Sequence, residues 1–380
     1  MEELARDSIS LLASAAPKSS LRLWAPGLLN FPWAFAKAGG IHNAVAVELA
    51  SLVFLVSGLV ILGYSSSVSG RCTYQAVVRE MCGLAIGHLC EICFIFNLFM
   101  ISVAFLVIMD DQLGKHQRFA LVLLCGLLIL PMSIHKEISV QKYSSVLGTL
   151  AATYMTIAIV IKYHNTPSAV VHISPSYSSG VGPERDGLDM SRGQKDELLG
   201  LHLYCHSHHL LRFPRVYGYL TFGKEVKADV LMSYSSDDVV MIIARLLFAV
   251  SLVTIYPIVL LLGRSVIQDH LLRRWRPCAG VSALESRSRY VVTVLWITVT
   301  LLFAIFVPDI SKIISVIGGV SAFFIFIFPG LCLMFAMQSE PVAWRTRVIL
   351  TLWGAFTLVC GAFIFGQSTT ITIMQILGKI

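Results

Sequence analysis

Ser251 and Thr254 stand three residues apart in the apolar stretch AVSLVTIYP, close enough to one helical turn to share a helix face. Two hydroxyls at mid-span can offer hard oxygen ligands to a small cation. The same hydroxyls can instead bond their own backbone or pack against a neighbouring helix. Spacing alone leaves both readings open. Asp110 and Asp111 form a carboxylate pair, but they close an apolar run, where solvated end charges are the expected role. HLYCHSHHL brings His202, Cys205, His206, His208 and His209 together with zinc-like spacing but without a second ligand pair. Cys90 and Cys93 form a CxxC at the opening of an apolar run, where small apolar packing is expected. No phosphate loop, GxSxG elbow or HExxH helix occurs, so an enzyme is not expected.

The elements that carry these residues are apolar. The 380-residue chain is 56% hydrophobic and only 13% charged, with a mean hydropathy of +0.76. Soluble domains carry about 25% charged residues, which excludes a soluble globular class. Eight runs approach or exceed the length that crosses a bilayer: 44–64, 92–109, 119–134, 143–161, 239–262, 291–307, 313–337 and 348–365. Alternating strands are absent, and backbone groups in lipid must bond internally, so the runs are helices.

Within them, isolated polar groups stand out. Glu48 and Glu91 lie near run ends, where snorkelling or an interfacial position suffices. Arg245 can snorkel or face a wet vestibule and attract a carboxylate. Asn97 is expected to bond between helices.

The net charge of +7 does not point to nucleic acid, because the basic residues sit in short connections between apolar runs. The connection 263–290 holds Arg264, Arg273, Arg274, Arg276, Arg287 and Arg289. Placing it in the cytoplasm puts twelve Lys and Arg inside, over 65–82, 135–142, 263–290 and 338–347, and five outside, over 110–118, 224–238 and 308–312, with the C-terminus outside. The N-terminal MEELARDSISLLASAAPKSS has acids and too short an apolar core for a signal peptide, so insertion through an internal span is expected.

Three segments are irregular. APGLLNFPWAFAKAGGI, 25–41, is apolar but too short to cross, and Pro26, Gly27 and Pro32 mark it as a half-helix. Broken half-helices build ion and substrate sites in transporters. Segment 162–215 holds no run long enough to span and reads as an extracellular loop. VYGYLTFG, 216–223, reads as the end of a helix whose beginning is missing.

GLLNFPWAFAKAGG at 27–40 resembles the first span of the sodium-coupled neutral amino acid transporters in the amino acid/auxin permease group. ELASLVFLVSGLVILGYSSSVSG, TYQAVVREMCG, QKYSSVLGTLAA, VYGYLTFGKEVKADVLMSY and VIGGVSAFFIFIFPGLCL agree with it, so the resemblance covers about 27–162 and 216–380. It implies an all-α integral membrane protein, a LeuT-type inverted-repeat helical bundle. Here that bundle is incomplete, with about eight full spans plus half-helices against eleven in the family.

The implied organisation is a non-family segment at 1–24, a first repeat at 25–161, an atypical loop replacing span six and part of span seven at 162–215, and the remaining bundle at 216–380. By position, Gly27 and Leu28 match the span-one break expected to face substrate and sodium. Ser251 and Thr254 match the span-eight hydroxyls expected at sodium.

The implied function is alternating-access transport of neutral amino acids such as glutamine, driven by sodium, in the lipid bilayer of the plasma membrane. Sodium would act as coupling ion, with no other cofactor or metal. The alternative is a non-transporting splice form or faulty gene model that keeps the scaffold but lacks the substrate site. KSSLRLWAPG at 18–27 replaces the usual lead-in to span one, and the loss of span six points the same way.

Overall fold

The computed structural model describes residues 29–71, 73–113, 118–134, 141–165, 216–275, 281–307, 309–339 and 342–377. Among them no β-strand occurs, and each of the eight apolar runs falls on a helix to within one residue. Among the described residues six helices are long and apolar enough to cross a membrane: Ile41–Ser69, Leu84–Leu113, Val239–His270, Arg287–Phe306, Ile310–Ser339 and Trp344–Gln375. The other two runs expected as spans differ. Phe119–Ile134 is shorter than a full crossing, and Gln141–Asn165 is a 25-residue helix outside the six.

Burial separates lipid-facing spans from packed ones. Only 11% of the most apolar stretch of Ile41–Ser69 is buried, and 17% of that of Trp344–Gln375, against 56% for Val239–His270. Val47, Val53, Ile349, Leu352, Val359 and Phe363 are all exposed. Apolar side chains left uncovered in this number need hydrocarbon rather than water around them.

The chain divides into two compact units, 1–45 with 145–245, and 46–144 with 246–380. In the first, a helix over 29–37 stops at Gly39 and Gly40, whose φ values are +85° and +122°. The Gly39 amide donates to Ala36 O at 3.4 Å and the Gly40 amide to Phe35 O at 3.1 Å. This is a Schellman stop, and it needs glycine because φ is positive. The half-helix read at 25–41 therefore ends through backbone geometry. The aromatic stub at 216–223 is helical over 216–222, and a Cβ on its Gly218 would meet Pro32 Cγ at 2.9 Å.

In the second unit, helices pack through small residues. A Cβ on Gly330 would meet Gly354 O at 2.8 Å, and one on Gly354 would meet Gly330 O at 3.0 Å. Glycines let helix backbones approach where no hydrophobic force drives them together in lipid.

Two apolar helices carry a π-turn, at Cys125–Ile129 and Phe323–Ile327, each two residues before a proline. Proline donates no hydrogen bond and its ring presses on the preceding turn, which widens the ladder. At the second turn Tyr74 Oη donates to Phe324 O at 3.0 Å. Burial pushes the Tyr74 phenol up, so it stays a neutral donor.

The basic connection 263–290 is mostly helix. Val239–Trp275 runs past its apolar run, and Val281–Phe306 begins before the next one. Arg264, expected in a loop, is a buried helical residue. Hydropathy marks where lipid ends, and the backbone hydrogen-bond ladder continues beyond it.

Candidate functional site

Ser251 and Thr254 lie in the helix Val239–Trp275, and their environments differ. Thr254 is half-buried, and its Oγ1 donates to Ser251 O at 2.8 Å. Ser251 is buried, and its Oγ has no hydrogen-bond partner among the described residues. An unpartnered buried hydroxyl costs about 1–3 kcal/mol. Pro257 lies inside the same helix and cannot donate to the Val253 carbonyl one turn earlier. One turn thus offers the Ser251 hydroxyl, the lone pairs of Thr254 Oγ1 and a carbonyl released from the ladder. All three are neutral oxygens, a donor set suited to a hard cation of low charge and poor for a soft metal.

Polar contacts tie the helices packed around that turn. Tyr256 Oη and Thr300 Oγ1 are 2.7 Å apart. Arg264 Nη1 donates to Ser133 O and Thr293 Oγ1, both at 3.0 Å. Trp296 Nε1 donates to Ser102 Oγ at 3.2 Å. Gly263 makes room for that indole, since a Cβ there would sit 2.6 Å from Trp296 Cη2. These partners are far apart in sequence, so no local pattern announces them. The only hint is their type, since Tyr, Trp and Arg in apolar runs need polar partners.

Gly27 and Leu28 fall outside the described residues. Described chain begins at Leu29, which is fully buried. In the same unit Arg245 Nη2 donates to Leu231 O at 2.8 Å and Tyr234 O at 3.0 Å. Its guanidinium fastens the 3-10 turn Val230–Ser233 instead of standing open to a carboxylate, because the turn leaves carbonyls that need donors. Asp229 caps that turn, accepting from the Leu231 amide at 2.9 Å. Lys162 pairs with Asp238 and holds its carboxyl below the usual carboxylate range.

The remaining candidates change or drop out. Asn97 Oδ1 is buried without a hydrogen-bond partner among the described residues, so the expected interhelical bond is not made through that atom. Asp110 and Asp111 are half-buried rather than fully solvated. Cys90 is fully buried with Val78, Phe328 and Cys332, which is the apolar packing expected of it. The HLYCHSHHL segment lies outside the described residues.

Residues 16–180 and 216–374 match the family described as transmembrane amino acid transporter protein. The chain belongs to that family. The match is wider than the stretches quoted from the sequence, and it leaves 181–215 uncovered. The transporter is 49% identical to solute carrier family 38 member 8 of Homo sapiens, over 92% of this chain and 90% of that one. Against sodium-coupled neutral amino acid transporter 7 of Danio rerio the identity is 37%, over 90% of this chain and 83% of the relative. A relative from Xenopus tropicalis is 48% identical over the full length of both chains. That alignment runs to 445 positions against the 380 residues of the transporter, so at least 65 positions face a gap in it. The all-α, multi-span class stands, with six full-length apolar helices among the described residues against the eleven spans that the resemblance implied.

Proposed function

We propose that this transporter moves neutral amino acids, glutamine among them, across the plasma membrane by alternating access, driven by a sodium gradient. The observation that carries the sodium part is the unpartnered Ser251 hydroxyl beside Thr254 and the proline-released carbonyl of Val253. A sodium ion would repay the desolvation of that hydroxyl without a counter-charge, as a neutral oxygen set allows. The name of the Danio rerio relative gives sodium and neutral amino acids, and glutamine is the finer part of this proposal.

Ser251 and Thr254 are assigned to sodium, and the backbone at Gly27 and Leu28 to the amino acid. The organisation read from the sequence belongs to this proposal, with the first repeat at 25–161 and the later bundle at 216–380. A second reading, a form that keeps the scaffold without transporting, rests on the gap of at least 65 positions and does not displace the first.

Uptake of labelled glutamine by cells expressing the chain, in sodium and in choline buffer with surface labelling, separates the two. Sodium-dependent uptake is the expected result. No uptake with the protein at the surface would establish the second reading.

A further inference from the structure

His88 and Glu91 lie three residues apart near the start of Leu84–Leu113, on one helix face. His270 comes from near the end of Val239–Trp275 and meets them. Glu91 Oε2 is 3.4 Å from His88 Nδ1 and 3.5 Å from His270 Nδ1. The three ligand atoms lie within 4.8 Å of one another. The two imidazoles stand edge to face, 5.7 Å between centroids.

We propose that His88, Glu91 and His270 form a binding site for a divalent transition-metal ion of the zinc class. The distances favour this over an ion pair between Glu91 and either histidine. Charge-assisted hydrogen bonds run about 2.7–2.9 Å, so 3.4 and 3.5 Å are long for them. Ligands about 2.0–2.2 Å from a tetrahedral zinc lie roughly 3.4 Å from one another. The carboxylate therefore already stands from each imidazole at the edge length of such a tetrahedron. Closing the remaining separation needs only rotation of imidazoles whose side chains are 49% and 56% exposed. Two neutral nitrogens and one carboxylate form a ligand set typical of zinc with an open position.

A water from solvent can complete the tetrahedron, since both imidazoles are exposed. Of the three ligands only Glu91 lines the neighbouring cavity of about 630 Å³, with Arg79, Glu80 and Asp269. This site is separate from Ser251 and Thr254 in donor chemistry, having nitrogens and a formal charge where they have only neutral oxygens. It would tie the start of Leu84–Leu113 to the arginine-rich end of Val239–Trp275, and it rests on no assumption about transport.

The test uses the purified full chain in detergent, stripped with chelator and dialysed against zinc chloride, with bound metal counted. A background variant with His202, Cys205, His206, His208 and His209 all changed to Ala removes the other zinc-like cluster. One zinc per chain retained in that background is expected. Loss of that zinc is expected in His88→Ala and His270→Ala, with at least tenfold weaker binding in Glu91→Gln. Cobalt(II) chloride gives a second reading, a visible tetrahedral absorption band present in the background and absent in His270→Ala. Size-exclusion profiles matching the parent exclude misfolding, since both imidazoles are exposed. No zinc in the background, or zinc unchanged by both histidine substitutions, would overturn the proposal.

Discussion

Tyr256 donates its hydroxyl to Thr300 Oγ1 at 2.7 Å, because the Thr300 proton is already directed at Trp296 O and Ile297 O, 2.8 and 3.1 Å away. Tyr256 is two residues beyond Thr254, so this bond sets which way the Ser251–Thr254 turn faces. Tyr256→Phe removes the donor and leaves Thr300 bonded to its own helix. We expect a loss of about 1 kcal/mol in stability, with sodium half-saturation rising more than maximal uptake falls. A thermal melt in detergent and a sodium titration of uptake measure the two effects. Unchanged sodium affinity would sever the link between Tyr256 and the site.

Ser251→Ala separates a ligand from a packing residue. Removing a buried hydroxyl that has no partner among the described residues should leave stability equal or raise it, by up to about 1–3 kcal/mol. Sodium-dependent uptake should fall at least tenfold. A stable protein with unaltered sodium activation would exclude Ser251 from the cation site. Thr254→Val keeps the shape and should weaken sodium activation less, since Val253 and Ser251 oxygens remain.

The stop after the half-helix depends on glycine. Gly39→Ala forces a side chain onto a φ of +85° and should cost about 1–2 kcal/mol. Gly218→Val drives methyl groups against Pro32 and Val230 and should cost about 1–3 kcal/mol. Chemical denaturation of each variant gives these values. A neutral Gly218→Val would mean that 29–37 and 216–222 do not pack as described.

Acid should weaken the protein in part through Asp238. Lys162 lowers its folded pKa below the unfolded value near 3.9. The stabilisation is therefore present above about pH 4 and is lost as pH falls through the folded value. Asp238→Asn should be less stable at neutral pH and show a shallower loss in acid. Parallel melting curves of the two proteins from pH 7 to pH 3 would refute the coupling.

Much of this protein was legible in its sequence, for a physical reason. Transfer of apolar side chains from water to lipid is a local sum, so the eight apolar runs mark the helices without knowledge of their neighbours. The half-helix was legible only in part: Pro32 stands inside the helix 29–37, Pro26 and Gly27 lie outside the described residues, and the stop comes from Gly39 and Gly40. Local spacing also placed Ser251 and Thr254 on one face, but it made them equivalent. Tertiary packing decided that Thr254 spends its proton on Ser251 O while the Ser251 hydroxyl is buried without a partner. Packing likewise turned Arg264 from a loop charge into a buried donor to Ser133 and Thr293, and brought His270 to His88 and Glu91. Hydrogen bonds and ligand sets of this kind depend on which side chains meet from distant spans, and helix periodicity contains no information about that.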